Sequence, residues 1–458
     1  MCVSVWTRSP RPAAALILWL MGAAGPLGAA GAGEPALVDS IRNRDFRSVE
    51  ALIADGANPN AAQPDGSSAL AWAVHLQDDR TVSLLLAAGA DVNSASASGD
   101  TPLLLACANG DERLVDRLLT AGADPRASRW NGETAVMLAA GAGAADAIRL
   151  LASAGAPLDA AERGRGQTAL MFAAAEGHSA TVAALIAAGA DVNGASNTGF
   201  TALGFAVTKN DLPSVQALLD AGADPNAPAK DASLPANIAA SFGHSDALEL
   251  IVRAGGDASK ADEGGRTPLY SAAKSGDSRS VTLLLSSGAD PNAKTARLDD
   301  LGSNRDLRRS DGEVTPLLAA AIGGHIDIMR GLIDAGADTG VRTQDGKTLL
   351  MHAARSGKLA VVEFAHAHDS DMSAKTSIGR TVMHASVILT SYVSTEEEVC
   401  RVIRFLARQG ADPDPIDEGG RTAISIADVW PMESASALLH ELTVAAGREP
   451  RILPTNLR

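Results

Sequence analysis

The stretch Gly166–Phe200, GQTALMFAAAEGHSATVAALIAAGADVNGASNTGF, decides how the rest of the chain is read. Thr168 opens a short apolar run, Ala169-Leu170-Met171-Phe172-Ala173-Ala174, which Gly177-His178 interrupts. A second apolar run, Val182 to Ala188, follows Ser179, a residue type that caps helix starts. Gly189 is placed to end that second helix in a left-handed turn, a conformation open to glycine without a Cβ penalty. Thr198-Gly199 then signals a tight turn before the next Thr, Thr201. The unit reads helix, turn, helix, protruding turn. It has no partner of its own for its apolar face, so it requires copies of itself.

Those copies run along the chain. The position of Thr168 recurs as Ser68, Thr101, Thr134, Thr201, Leu234, Thr267, Thr315, Thr348, Thr381 and Thr422, with a dominant step of 33 residues and exceptions of 34, 48 and 41. The best-preserved starts are Thr101-Pro102-Leu103-Leu104-Leu105-Ala106, Thr267-Pro268-Leu269 and Thr315-Pro316-Leu317. A downstream mark is as regular: Gly89-Ala90-Asp91-Val92-Asn93, Gly189-Ala190-Asp191-Val192-Asn193, Gly222-Ala223-Asp224-Pro225-Asn226 and Gly288-Ala289-Asp290-Pro291-Asn292. This period with a T-P-L-x-x-A core resembles the ankyrin repeat. The resemblance implies an all-α solenoid of about twelve ankyrin repeats, stacked helix-turn-helix units with protruding β-turn tips. It also implies a protein partner, met on the turn tips and the inner, concave face of the first helices.

Composition agrees with repeats. A 458-residue chain would be unusually large for one globular core, whereas stacked repeats touch only their neighbours. Aromatic residues are only 3% of the chain, so packing rests on Ala, Leu, Val and Ile, and an aromatic at an exposed position is informative. The net charge is −15, or −17 once Arg8 and Arg11 leave with the first 32 residues. Such an acidic chain is a poor general ligand for nucleic acid or anionic membranes.

The amino terminus reads as a cleavable signal peptide, residues 1–32. Arg8 and Arg11 precede the apolar stretch Ala13 to Ala24, Gly25-Pro26 breaks it, and Ala30-Gly31-Ala32 offers a small-x-small cleavage site. The stretch falls short of the roughly 20 residues of a comfortable membrane span. Export to the periplasm or beyond is expected, with no membrane insertion after cleavage. Cys107 and Cys400 would remain, too few for a disulfide framework.

Residues 33–64 read as an amino-terminal capping repeat, with polar Asp39, Arg42, Arg44 and Asp45 suited to a face that has no neighbour. Repeats occupy 65–292 and 311–443, the latter including the carboxy-terminal cap, and an irregular tail covers 444–458. Between the two arrays lies a charged inserted loop, 293–310, AKTARLDDLGSNRDLRRS. A second insertion, about eight residues within the repeat of Thr381, is expected to lengthen the loop between its two helices. The repeat of Leu234 has lost its capping Thr, at an expected cost of roughly 1 kcal/mol. In the last repeat Trp430-Pro431 stand where the turn belongs.

No catalytic or cofactor motif is present in the sequence. Glycine-rich places such as Gly141-Ala142-Gly143 lack the strand-then-helix setting of a phosphate loop. His178, His244 and His325 recur at one repeat position, which spaces them along the array. His366-Ala367-His368-Asp369 is the one cluster with metal-ligand residue types, without a further His or Cys nearby. Acid pairs such as Asp299-Asp300 and Asp262-Glu263 fall in turns. The expectation is a non-enzymatic, monomeric binding protein without cofactor or metal, acting in the cell envelope; a secreted effector acting on a host or competitor protein is the alternative. Reading the tips, Trp130 stands out, because Trp and Arg dominate binding hot spots. Arg129, Trp130, Arg163, Arg165 and Phe200 make the candidate partner-binding patch, with Phe242 on an inner helix face extending it. Trp130 has two roles open to it, partner contact or a staple folded onto the neighbouring hairpin.

Overall fold

The computed structural model describes residues 34–297, 299, 311–388, 395–429 and 432–450. The signal-peptide segment 1–32, most of the inserted loop, Trp430-Pro431 and the end of the tail therefore lie outside the described residues. Among the described residues there are 24 helices and no strands beyond isolated bridges. The chain divides into an amino-terminal unit ending at Ala227 and a carboxy-terminal unit beginning at Pro228.

The repeat that opened the sequence reading folds as Ala169–Glu176 and Ser179–Ala187. The first helix is buried on nearly every side, through Ala169, Leu170, Met171, Ala173 and Ala174. Small side chains let successive first helices approach closely, and in each unit they form the tighter of two helix rows. Gly189 takes φ +90°, as the left-handed stop requires. Ser179 is not the cap: His178 holds that position, and its Nε2 lies 3.1 Å from the Gly141 carbonyl oxygen of the preceding repeat. Thr168 itself makes no side-chain cap bond, but most of the capping Thr side chains act as read. Thr267 Oγ1, for example, accepts the Tyr270 N–H at 3.1 Å.

Neighbouring repeats are tied at both ends. The Asn of the downstream mark bridges to the next repeat: Asn193 Nδ2 donates to the Gly222 carbonyl at 3.1 Å, and its Oδ1 accepts the Asp224 N–H at 2.8 Å. Asn292 makes the same pair with Gly336 and Asp338, at 3.0 and 2.8 Å. The bonding of the stack is therefore continuous from the repeat before the first insertion to the repeat after it. The tips are chained by backbone, as in Arg163 N–H to Asn131 O and Ala296 N–H to Gly264 O, both 2.9 Å. Gly265 serves that close approach, since a Cβ there would lie 2.3 Å from the Ala296 nitrogen.

Two expectations change. The repeat of Leu234 is bonded at its cap by another residue. Buried Asn237 accepts the Leu234 N–H at 3.2 Å and donates to the Arg266 carbonyl at 2.8 Å, joining its own helix start to the next hairpin. His384 does the same for Thr381 and Arg421, at 3.2 and 3.1 Å. The second insertion goes partly into helix: Glu396–Arg408 has 13 residues where most second helices have nine, and 389–394 lie outside the described residues.

Candidate interaction surface

In the amino-terminal unit the tip of the hairpin before Thr134 presents Trp130. Its backbone N–H donates to the Ser98 carbonyl at 3.4 Å, while its side chain is 72% exposed. Of the two roles open to it, stapling is not what the structure shows. Arg129 changes role. Its Nε donates to Asp100 at 2.6 Å and its Nη1 to Glu133 at 2.9 Å, with the side chain only 11% exposed. It cross-links two hairpins and is removed from the candidate patch, because a guanidinium held by two carboxylates has little left for a partner.

Arg163 and Arg165 are exposed, and the Arg163 stem lies against Gly132, where a Cβ would be 3.1 Å from its Cγ. Phe200 is half-buried and tilted at 54° on Phe205, centroids 5.5 Å apart. Phe242 belongs to the carboxy-terminal unit, where it is 43% exposed and stacks on His244 at 5.6 Å.

A row that the tip reading missed runs beneath these tips. Four residues after the capping position stand Trp72, Leu105, Leu138, Phe172 and Phe205. Leu105 is buried and the other four are half-buried, on helices whose flanking residues are buried. Arg42 lies over the Trp72 ring at 5.0 Å. In a chain so poor in aromatics, three aromatics in one register mark an inner face. The signal was in the sequence: the same offset from each Thr, which a reading of the tips alone passes over.

The carboxy-terminal unit fills its inner positions with charge. The residue before the capping position is Arg266, Lys347, Arg380 and Arg421 in four of its repeats. Arg266 pairs with Asp262 at 2.6 Å, and Arg380 and Arg421 share the fully buried Asp417 carboxylate at 3.2 and 3.1 Å. Asp311 accepts from Lys347 at 2.9 Å and from Arg355 at 2.7 Å; Lys347 also pairs with Asp345. Burial pushes the Asp311 carboxyl up, but Lys347, Arg355 and His352 outweigh it and hold the group below the ordinary carboxylate value. His352 is fully buried beside this network with neither ring nitrogen hydrogen-bonded, and burial lowers its pKa to about 3.

The remaining singled-out groups have structural neighbours. His366 is set edge-on to Phe405 at 5.6 Å, and His368 Nδ1 lies 2.9 Å from the Phe364 carbonyl oxygen. Among the described residues no group of three or more His, Cys, Asp or Glu is arranged to hold a metal ion. Cys107 and Cys400 are buried free thiols. No helix among the described residues is long and apolar enough to cross a membrane.

Comparison with known proteins matches this geometry. The family model for ankyrin repeats (3 copies) matches residues 37–129, 70–162, 103–196, 159–229, 203–295, 298–376 and 317–401, most of the chain. Over 111 residues the chain is 30% identical to the probable E3 ubiquitin-protein ligase XBOS33 of Oryza sativa subsp. japonica. That match takes in 24% of this chain and 20% of that protein, so it carries no activity across. Ankyrin repeats are a protein–protein interaction scaffold and typically non-enzymatic. The period, the paired helices and the chained hairpins agree with the matched model: the chain belongs to the ankyrin-repeat family.

Proposed function

We propose that the protein captures a partner protein through the tips and inner face of its amino-terminal unit, in the cell envelope. Trp130, Arg163 and Arg165 would form the outer contacts, and Phe200, packed on Phe205, would join them to the inner row of Trp72, Leu138, Phe172 and Phe205. The observation that carries this reading is Trp130, an indole 72% exposed on a hairpin whose backbone is bonded to its neighbour. A large side chain on an immobilised support loses little conformational freedom on binding, the property that makes Trp effective in hot spots. The envelope location is supported by the sequence of residues 1–32 and is tested by fractionating the producing cell. The binding surface is tested by pull-down from an envelope extract with wild type and with Trp130→Ala plus Arg163→Ala. A partner held by wild type and lost by a variant with an unchanged melting curve supports the surface. Equal recovery removes it.

A further inference from the structure

The basic positions of the carboxy-terminal unit have a feature that pairing alone does not explain. Asp262 and Asp417 are themselves fixed. Asp262 Oδ1 accepts the Gly264 and Arg266 N–H groups at 2.9 Å, and Asp417 Oδ1 accepts those of Gly419 and Arg421, also at 2.9 Å. Their second oxygens hold the Nε and Nη2 edge of Arg266, at 2.7 and 2.6 Å, and of Arg421, both 3.1 Å. Each guanidinium is thus oriented by a buried carboxylate, with its other edge left for an incoming acid; Arg421 remains 49% exposed and Arg266 42%. Asp417 serves two guanidiniums, so two positive charges share one carboxylate at that point.

Lys274 supplies the second, independent sign. Its ammonium lies over the Tyr270 ring at 5.9 Å. Lys274 is exposed, yet partial desolvation by the surrounding side chains, and then the Arg266 charge, lower its pKa. Two cations near enough to feel each other repel, and an anion that meets both relieves that repulsion. Both features stand on a chain of net charge −15, where basic groups gathered at one register are the exception.

We propose that the inner face of the carboxy-terminal unit binds an acidic protein segment, with one group of carboxylates on Arg266 and Lys274 and another on Arg380 and Arg421. Guanidiniums already held in place lose little entropy on binding and meet a carboxylate through two parallel hydrogen bonds. Arg380 stands three repeats and Arg421 four repeats beyond Arg266. At about 10 Å per repeat that is about 30 to 40 Å, a span of about nine to twelve residues of extended chain. The occupant is therefore an extended segment with acids at both ends. This surface is separate from the one proposed on the amino-terminal unit.

The test is fluorescence anisotropy of the purified full-length protein with a labelled peptide of about twelve residues carrying glutamate pairs at both ends. The references are a peptide of the same composition with all acids at one end and a single-stranded oligonucleotide of equal charge. Expected are binding at least about tenfold tighter for the two-ended peptide and weakening of about fivefold by Lys274→Gln or Arg421→Gln. Both variants should keep the wild-type melting temperature, since Asp417 retains Arg380, and Trp130→Ala should bind as wild type. Equal affinity for the two peptides, or unaltered binding by both variants, would overturn the proposal. An oligonucleotide bound as tightly, with the same losses, would overturn it in favour of a nucleic-acid surface.

Discussion

The two units are built on one repeat and differ in what they place on it. At the inner helix position four past the capping residue, the amino-terminal unit has Trp72, Leu105, Leu138, Phe172 and Phe205; the carboxy-terminal unit has Ile238, Ser271, Ala319, His352, Ala385 and Ile426 at the same offset, with no aromatic carbocycle among them. One position before the cap the second unit is the basic one, with Ser67, Asp100, Glu133, Gln167 and Phe200 in the first and Ser233, Arg266, Val314, Lys347, Arg380 and Arg421 in the second. The helices, turns and Asn bridges are the same in both. The difference teaches that this frame is stabilised by its Ala/Leu layer and its bridges, while the inner positions are released for other work. In the second unit part of that work is a more extensive half-buried ionic network, which makes its stability depend on charge more than that of the first unit, where Arg129 with Asp100 and Glu133 is the counterpart.

The largest expected effect comes from breaking that network. Asp311→Ala takes from Lys347 and Arg355, 17% and 18% exposed, the carboxylate they share, and leaves Lys347 its pair with Asp345. Removing one carboxylate from two cations at that depth costs about 3 kcal/mol. Asp100→Ala in the first unit leaves Arg129 its bond to Glu133, and should cost about 1 kcal/mol. Urea unfolding of both variants measures the pair. Equal losses would show that the two networks are equivalent and remove the contrast.

The next effect is in pH. His352 is kept neutral by burial, with a folded value of about 3 against an ordinary 6.5. Because the unfolded chain takes up the proton first, its contribution favours the unfolded state progressively below 6.5, and the loss is complete near 3. At about pH 5 it amounts to about 2 kcal/mol. The lowered Asp311, Asp345 and Asp417 add in the same direction at more acid pH, since their stabilisation is lost as pH falls through their folded values. The first unit has only the half-buried His75 among its lowered histidines. Hydrogen exchange of the helix Leu349–Arg355 should therefore accelerate between pH 7.5 and 5 more than that of Ala169–Glu176, after correction for intrinsic rates. His352→Leu should flatten the difference and, by removing two unsatisfied nitrogens, slow exchange at pH 5. A leucine variant with wild-type pH dependence would mean that His352 is not the group that titrates.

Much of the frame was legible in the sequence, because its signals are local: Thr as a cap, Gly at a left-handed stop, Asn after Gly-Ala-Asp. The repeat of Leu234 shows where local reading ends. The missing Thr was visible, but Asn237 works through Arg266, in the following repeat, and only the fold brings them together. Asn237→Ala should accordingly cost about 1.5 kcal/mol, through a buried carbonyl and N–H left without partners. Restoring the threonine by Leu234→Thr should regain less than half of it. Full recovery by that change would assign the stability to the cap alone. The candidate surface was legible in part for the same reason. Trp130 and Phe200 announce themselves by residue type, whereas Arg129 resembles Arg163 until Asp100 and Glu133 are seen around it. The inner aromatic row needed the fold to show that one register faces one side.

The smallest expected effect bears on the first unit's side of the comparison. If its exposed aromatics are released from the frame, removing the largest should leave stability alone. Trp130→Ala takes away a side chain that is 72% exposed, while the turn it sits on keeps its backbone bond to Ser98. A change within about 0.5 kcal/mol is expected, against roughly 3 kcal/mol for a core truncation such as Leu170→Ala in the same unit. Urea midpoints of the two variants decide it. A loss above about 1 kcal/mol for Trp130→Ala would mean that the ring braces the hairpins after all. The inner and outer aromatics would then belong to the frame, and the distinction between a structural layer and a free surface would hold only for the charged positions of the second unit.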